Sequence, residues 1–267
     1  MKMVYNMFIK TFKDTFYQIN INKKSLFLSN FLPFLVMVIS SISIEAPQIP
    51  SYIMGVIYLV GMIVECVMVL FIIVNVHKII LEGNGSVSKW GNLNHGLDEC
   101  NIYFKFIANY FMIVFVGVIV GVIIYLIGYS PLSEITIVDE FFSYVLLFFV
   151  GILICRFFLV FPAIALKKDI SLTDALELTK GRVLYMFGIV FALPLLLKGI
   201  LMLLMMNTKV IMFFYYVFGF SALGILDSLS LFIVIIYSTT LLSVAYKHIM
   251  GQSQGGKELN DLSILSQ

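Results

Sequence analysis

Apolar residues gather in six runs, 26–44, 52–76, 106–128, 141–166, 183–206 and 217–246, and polar positions concentrate in the segments between them. Each run reaches or approaches the roughly 20 helical residues that cross a bilayer. The pattern predicts an all-α polytopic membrane protein with six transmembrane helices, a single integral membrane domain over residues 1–267 that closes in a polar tail, 251–267. Run 26–44 is longer than the apolar core of a usual signal sequence and no small-x-small site follows it, so it is expected to stay in the mature chain.

A second periodicity precedes each odd-numbered run. Val4, Phe8, Phe12, Phe16 and Ile19 line one helical face, with Lys2, Lys10 and Lys13 opposite. Trp90, Leu93, Leu97 and Phe104 do the same against Asp98 and Glu99, as do Leu172, Leu176, Thr179 and Val183 against Asp174, Glu177 and Lys180. These stretches predict interfacial amphipathic helices. The chain then divides into three units of one amphipathic helix and two spans, over 1–80, 81–168 and 169–250. Two spans return the chain to the side where it began, so such units would be parallel repeats; the competing reading is the amphipathic character common to loops beside a membrane. The third stretch carries a capping-box pattern, Ser171 with Asp174 at the N3 position, and Lys180 and Arg182 near its end.

Composition changes the picture only by confirming the solvent. With 61% apolar and 12% charged residues the chain holds about half the charge of a soluble domain. The charges are also sorted. Lys2, Lys10, Lys13, Lys23 and Lys24, then Lys78, Lys89 and Lys105, then Lys167, Lys168, Lys180 and Arg182, and finally Lys247 and Lys257 fall on one side of the six runs. The other side has Lys209 alone among cations, beside Glu45, Glu134, Asp139 and Glu140. The positive-inside rule puts both termini in the cytoplasm. The net charge of +2 conceals this sorting. Because the cations are spread along a membrane face, nucleic acid is excluded as a partner; membrane lipid and a protein docked on the cytoplasmic interfacial helices are the partners the pattern admits.

Four ionisable residues lie inside the runs: Glu65, Arg156, Lys198 and Asp227. Glu65 and Arg156 each stand 10 or 11 residues from the cytoplasmic end of their run, roughly 15 Å deep at the helical rise per residue. Lys198 and Asp227 share a shallower level towards the outer face. A lone charge at such depth costs at least about 2.5–3.5 kcal/mol, so two ion pairs, Glu65 with Arg156 and Lys198 with Asp227, are expected. They serve either as structural pairs that fix helix register or as a polar path for an ion or headgroup.

Residues 156–182 carry a sharper pattern. Arg156 closes an apolar span near Pro162, a charged turn Lys167-Lys168-Asp169 follows, and then a helix from Ser171 through Ala175-Leu176 and Thr179 to Arg182. This resembles the YciC family of bacterial inner-membrane proteins, a group related to the membrane portion found beside some glycerophosphodiester phosphodiesterases. The closing stretch 241–248 and the opening 8–34 resemble the same family, whereas residues 83–99 do not. The resemblance implies a six-span plasma-membrane protein and supplies no catalytic residues; the phosphodiesterase domain is absent, so its activity is not inherited.

Catalytic chemistry has little to rest on. His77, His95 and His248 are too far apart for a metal-ligand motif and are expected to be solvated or interfacial. Gly219 to Ser221 lacks the second glycine of a nucleophile elbow, and Gly83 to Ser86 reads as a turn. Cys66, Cys100 and Cys155 are expected to act as small apolar side chains. Gly117 with Gly121, and Gly188 with Ala192, permit close helix contact without specifying a dimer. Pro33, Pro162 and Pro194 are expected to bend or end their helices. The sequence predicts no cofactor, no metal site and no enzymatic activity. It leaves an envelope-organising or accessory membrane protein, or alternatively a small transporter or channel that uses the four intramembrane charges.

Overall fold

The computed structural model describes residues 2–44, 51–88, 97–129, 148–218 and 222–264. Every element among them is helical: α1 (Lys2–Ile44), α2 (Ser51–Glu82), α3 (Leu97–Tyr129), α4 (Phe148–Ala165), α5 (Leu172–Leu178), α6 (Val183–Met205), α7 (Thr208–Phe218) and α8 (Ala222–Ile264). Six of these, α1 to α4, α6 and α8, are long and apolar enough to cross a membrane. The protein is an all-α polytopic membrane protein.

Only one of the three amphipathic stretches is a separate helix. The first is continuous with its span in the 43-residue α1, because residues 2–32 contain neither glycine nor proline to stop it, and Pro33 lies inside the helix without ending it. The second stretch is continuous with α3 from Leu97 onward; Trp90 and Leu93 lie outside the described residues. The third breaks off as α5, where Gly181 takes a left-handed φ of 74° that stops the helix before α6 starts. Its predicted capping box is present: the Asp174 backbone N–H donates to Ser171 Oγ at 3.1 Å, and the Ser171 N–H donates back to Asp174 Oδ2 at 2.9 Å. Gly83, at φ 104°, ends α2 in the expected turn, with the Ser86 N–H donating to its carbonyl at 3.1 Å.

The two later prolines mark irregular backbone. Pro162 follows a 3₁₀ stretch, Cys155–Leu159, inside α4. Pro194 follows a π-helical turn, Gly188–Ala192, inside α6; the proline has no N–H to donate and its ring crowds the preceding turn, which widens.

Helices α1, α2 and α8 pack against one another, and α8 is the axis of the bundle. Within its most apolar window α8 is 67% buried, against 28% for α1 and 11% for α6. One core joins Leu26 and Met37 of α1, Ile72, Val76 and Ile79 of α2, and Phe232 and Val244 of α8. A second joins Leu241, Ala245 and Ile249 of α8 to Leu159 and Ala163 of α4, Phe106 of α3 and Tyr185 of α6. Gly117 faces Ile154 and Val150 of α4, so the small-residue pair of α3 serves a contact within the chain.

Much of the buried face of α1 is polar. Thr11, Thr15, Asn22, Ser29 and Asn30 point into the bundle, while Phe12 and Phe16 stay exposed. In lipid this is the stable arrangement, since hydrocarbon satisfies phenylalanine and offers hydroxyls and amides nothing to bond.

Candidate functional site

The expected charge pairs do not form. Among the described residues no ion pair joins Glu65 to Arg156 or Lys198 to Asp227. The half-buried Arg156 turns instead towards α5, where its Nε donates to Thr179 Oγ1 at 2.9 Å and its Nη2 donates to the Leu176 carbonyl. Arg182 donates to the Leu178 carbonyl at 3.4 Å. Two guanidinium groups thus satisfy the orphan carbonyls at the C-terminal end of α5, where cations are favoured. Depth along the span puts Arg156 level with Glu65, but α5 folds back against the 3₁₀ stretch of α4 and supplies the partners of the guanidinium. Glu65 and Lys198 are half-buried and Asp227 is exposed.

One group of polar side chains is drawn together at the end of the bundle that carries the lysines. Asp14 and Thr11 of α1, His248 of α8 and Tyr185 of α6 form one chain. His248 Nε2 lies 3.0 Å from Asp14 Oδ2, His248 Nδ1 lies 2.9 Å from Thr11 Oγ1, and Thr11 Oγ1 lies 2.7 Å from the Tyr185 hydroxyl. Carboxylate, imidazole and hydroxyl in this order have the connectivity of a nucleophile relay. Thr11, however, is fully buried and its hydroxyl is taken up by Tyr185, so no acyl group can reach it. The chain ties three helices together. Lys247 adds another tie, its ammonium donating to the Ile80 carbonyl in the last turn of α2 at 2.5 Å.

The second cluster surrounds His77, which is only 1% exposed rather than solvated or interfacial as its sequence position suggested. Its Nδ1 lies 2.7 Å from Ser243 Oγ, and the single Ser243 hydroxyl proton is already donated to the Thr239 carbonyl at 2.8 Å. Ser243 must therefore accept from His77, which places the proton on Nδ1 and leaves Nε2 with a lone pair. His77, Ser238 and Thr239 form the polar part of the lining of a cavity of about 160 Å³. The rest is apolar and aromatic, from Leu70 and Ile73 of α2, Phe106 and Tyr110 of α3, Phe158 and Phe161 of α4, Val190 in the π turn of α6 and Leu242 of α8.

Two further concavities lie at the edge of the bundle. Lys105, Lys167, Lys168 and Asp169 line one of about 200 Å³, across which Lys105 Nζ and Asp169 Oδ1 meet at 2.6 Å. The other runs along the outer face of α6 and is apolar, with Phe187, Phe191 and Leu195 in its wall.

Neither family models, nor curated proteins, nor solved structures match this chain. Among the described residues no three His, Cys, Asp or Glu side chains converge as a metal site. Cys66 is exposed and Cys155 is buried with its thiol donating to the Ile152 carbonyl at 3.0 Å; His95, the Cys100 side chain and the stretch from Gly219 to Ser221 lie outside the described residues. The signal for the His77 site was present in the last run, where Thr239 and Ser243 stand at i and i+4 on one helical face. A hydroxyl stripe inside a span marks the face turned to protein.

Proposed function

We propose that this chain is an accessory or envelope-organising protein of a bacterial inner membrane, without enzymatic activity and with both termini in the cytoplasm. One observation carries the reading: Glu65, Arg156, Lys198 and Asp227 line none of the three concavities described above. A path for ions or solutes needs charged or polar groups facing a continuous cavity, and here the polar side chains bond from helix to helix. The resemblance of residues 156–182 to YciC proteins supports the same class. Within that stretch Arg156, Leu176 and Thr179 act on one another, so the pattern reads as the clamp that fastens α5 to α4.

Reconstitution tests the proposal. The purified protein in sealed vesicles is expected to pass neither monovalent ions nor small anions faster than empty vesicles, while isolation from native membranes in mild detergent is expected to retain a protein partner in fixed ratio. Flux above the empty-vesicle rate that is lost in Lys198→Met/Asp227→Leu would overturn it in favour of a transporter.

A further inference from the structure

We propose that the cavity beside His77 binds a neutral membrane amphiphile with a free hydroxyl, a glycerolipid of the diacylglycerol type. The proposal goes beyond the accessory role and rests on the cavity alone.

The polar groups of the cavity match a hydroxyl. The proton on His77 Nδ1 is committed to Ser243, so Nε2 offers a lone pair, and that nitrogen has no partner among the described residues. The Thr239 hydroxyl, on the same cavity wall, also makes no hydrogen bond among the described residues and is a free donor. An alcohol both donates and accepts, and so satisfies the two groups at once. Leaving them bare in an apolar surrounding costs about 1–3 kcal/mol each.

The lining excludes charge. It contains no lysine, arginine, aspartate or glutamate, so a phosphate or ammonium headgroup would be desolvated without a counter-ion. A water can bond to His77 and Thr239 but leaves the Leu, Ile and Phe part of the wall uncovered, which the first carbons of an amphiphile fill.

Position and shape supply the rest. His77 stands five residues before the end of α2, about 8 Å along the helix, which is close to the boundary between hydrocarbon and headgroup layers. Tyr110 forms one wall and is 49% exposed, so the cavity opens sideways towards lipid at α3. At about 160 Å³ the space takes a hydroxymethyl group and the first carbons of a chain. The acyl chains then lie outside against the exposed Phe111 and Phe115 of α3.

The test uses the full chain in detergent and a photoreactive diacylglycerol, with unlabelled competitors. Labelled peptides are expected from α3 and α4, and dioleoylglycerol should compete at least tenfold better than its O-methyl ether, which keeps the chains and loses the donor. A long-chain alcohol that competes as well as dioleoylglycerol supports recognition of the hydroxyl alone, whereas weaker competition assigns the glycerol ester as part of the ligand. Leu70→Phe, which narrows the cavity without touching His77 or Thr239, should reduce labelling about tenfold at unchanged folded yield. Equal competition by alcohol and ether, equal competition by phosphatidic acid, or full labelling of folded Leu70→Phe overturns the proposal.

Discussion

At the scale of single residues three cations of this protein act as helix caps. Arg156 and Arg182 serve the end of α5 and Lys247 serves the end of α2. Replacing Arg156 by Met should remove the charged donor from the Leu176 carbonyl and the Thr179 hydroxyl, which then keep only the bonds that the Thr179 hydroxyl makes within α5, and lower stability by about 1.5–3 kcal/mol, as hydrogen bonds from charged donors usually contribute. Arg156→Lys should recover only part, since an ammonium cannot reach both acceptors in the planar fork of a guanidinium. The exchange Glu65→Arg with Arg156→Glu should recover nothing beyond the single Arg156→Glu change, because the two side chains do not meet. Thermal unfolding of the detergent-solubilised variants measures all three.

A second residue-scale prediction concerns Gly188. A Cβ there would lie 2.8 Å from the ring edge of Phe8 on α1. Gly188→Ala should destabilise by about 1–3 kcal/mol through overpacking, and Phe8→Leu in the same chain should restore most of it. A Gly188→Ala protein with an unchanged unfolding midpoint would show that the ring yields freely.

At the scale of elements, α5 is held by a reciprocal cap that acid opens. The Ser171 hydroxyl, and after it the Ser171 backbone N–H, donate to the Asp174 carboxylate and hold it below its ordinary value. A carboxyl depressed in the folded state contributes stability that is present above its unfolded pKa and lost as pH falls through the folded one. Amide exchange over 172–176, corrected for its intrinsic rate, should therefore quicken in acid below the usual carboxylate range, and Asp174→Asn should flatten that dependence. This helix was the most legible element in the sequence, because capping is local chemistry written in four consecutive residues. α1 was harder to read. The Phe12 and Phe16 stripe marks an amphipathic helix, yet in lipid the face that turns inward carries the hydroxyl and amide stripe, and an aromatic stripe alone does not say which solvent it will meet. His77 and the Asp14 to Tyr185 chain were illegible for a related reason. Their partners lie 166 and 174 or more residues away, a distance that local periodicity cannot bridge.

At the scale of the whole molecule, the six spans followed from run length alone, whereas the partners of the intramembrane charges depended on how α5 folds back. Single new cysteines near Lys89, Lys168 and Lys257 are expected to resist an impermeant thiol reagent in intact cells, and those near Gln48, Ser133 and Asn207 to react. Reaction at position 168 in sealed cells would reverse the orientation.

The tie between Thr11 and His248 spans 237 residues, nearly the full chain. A ribosome delivers α1 well before α8, so Thr11, Thr15, Asn22 and Asn30 enter the bilayer long before the helix that completes their surroundings exists. Until then the nascent bundle carries an open polar seam towards lipid, a state that invites either a temporary escort or rapid degradation. Closure of the core waits for α8, and a chain stopped at residue 218 is expected to be cleared from the membrane while a chain that includes α8 persists.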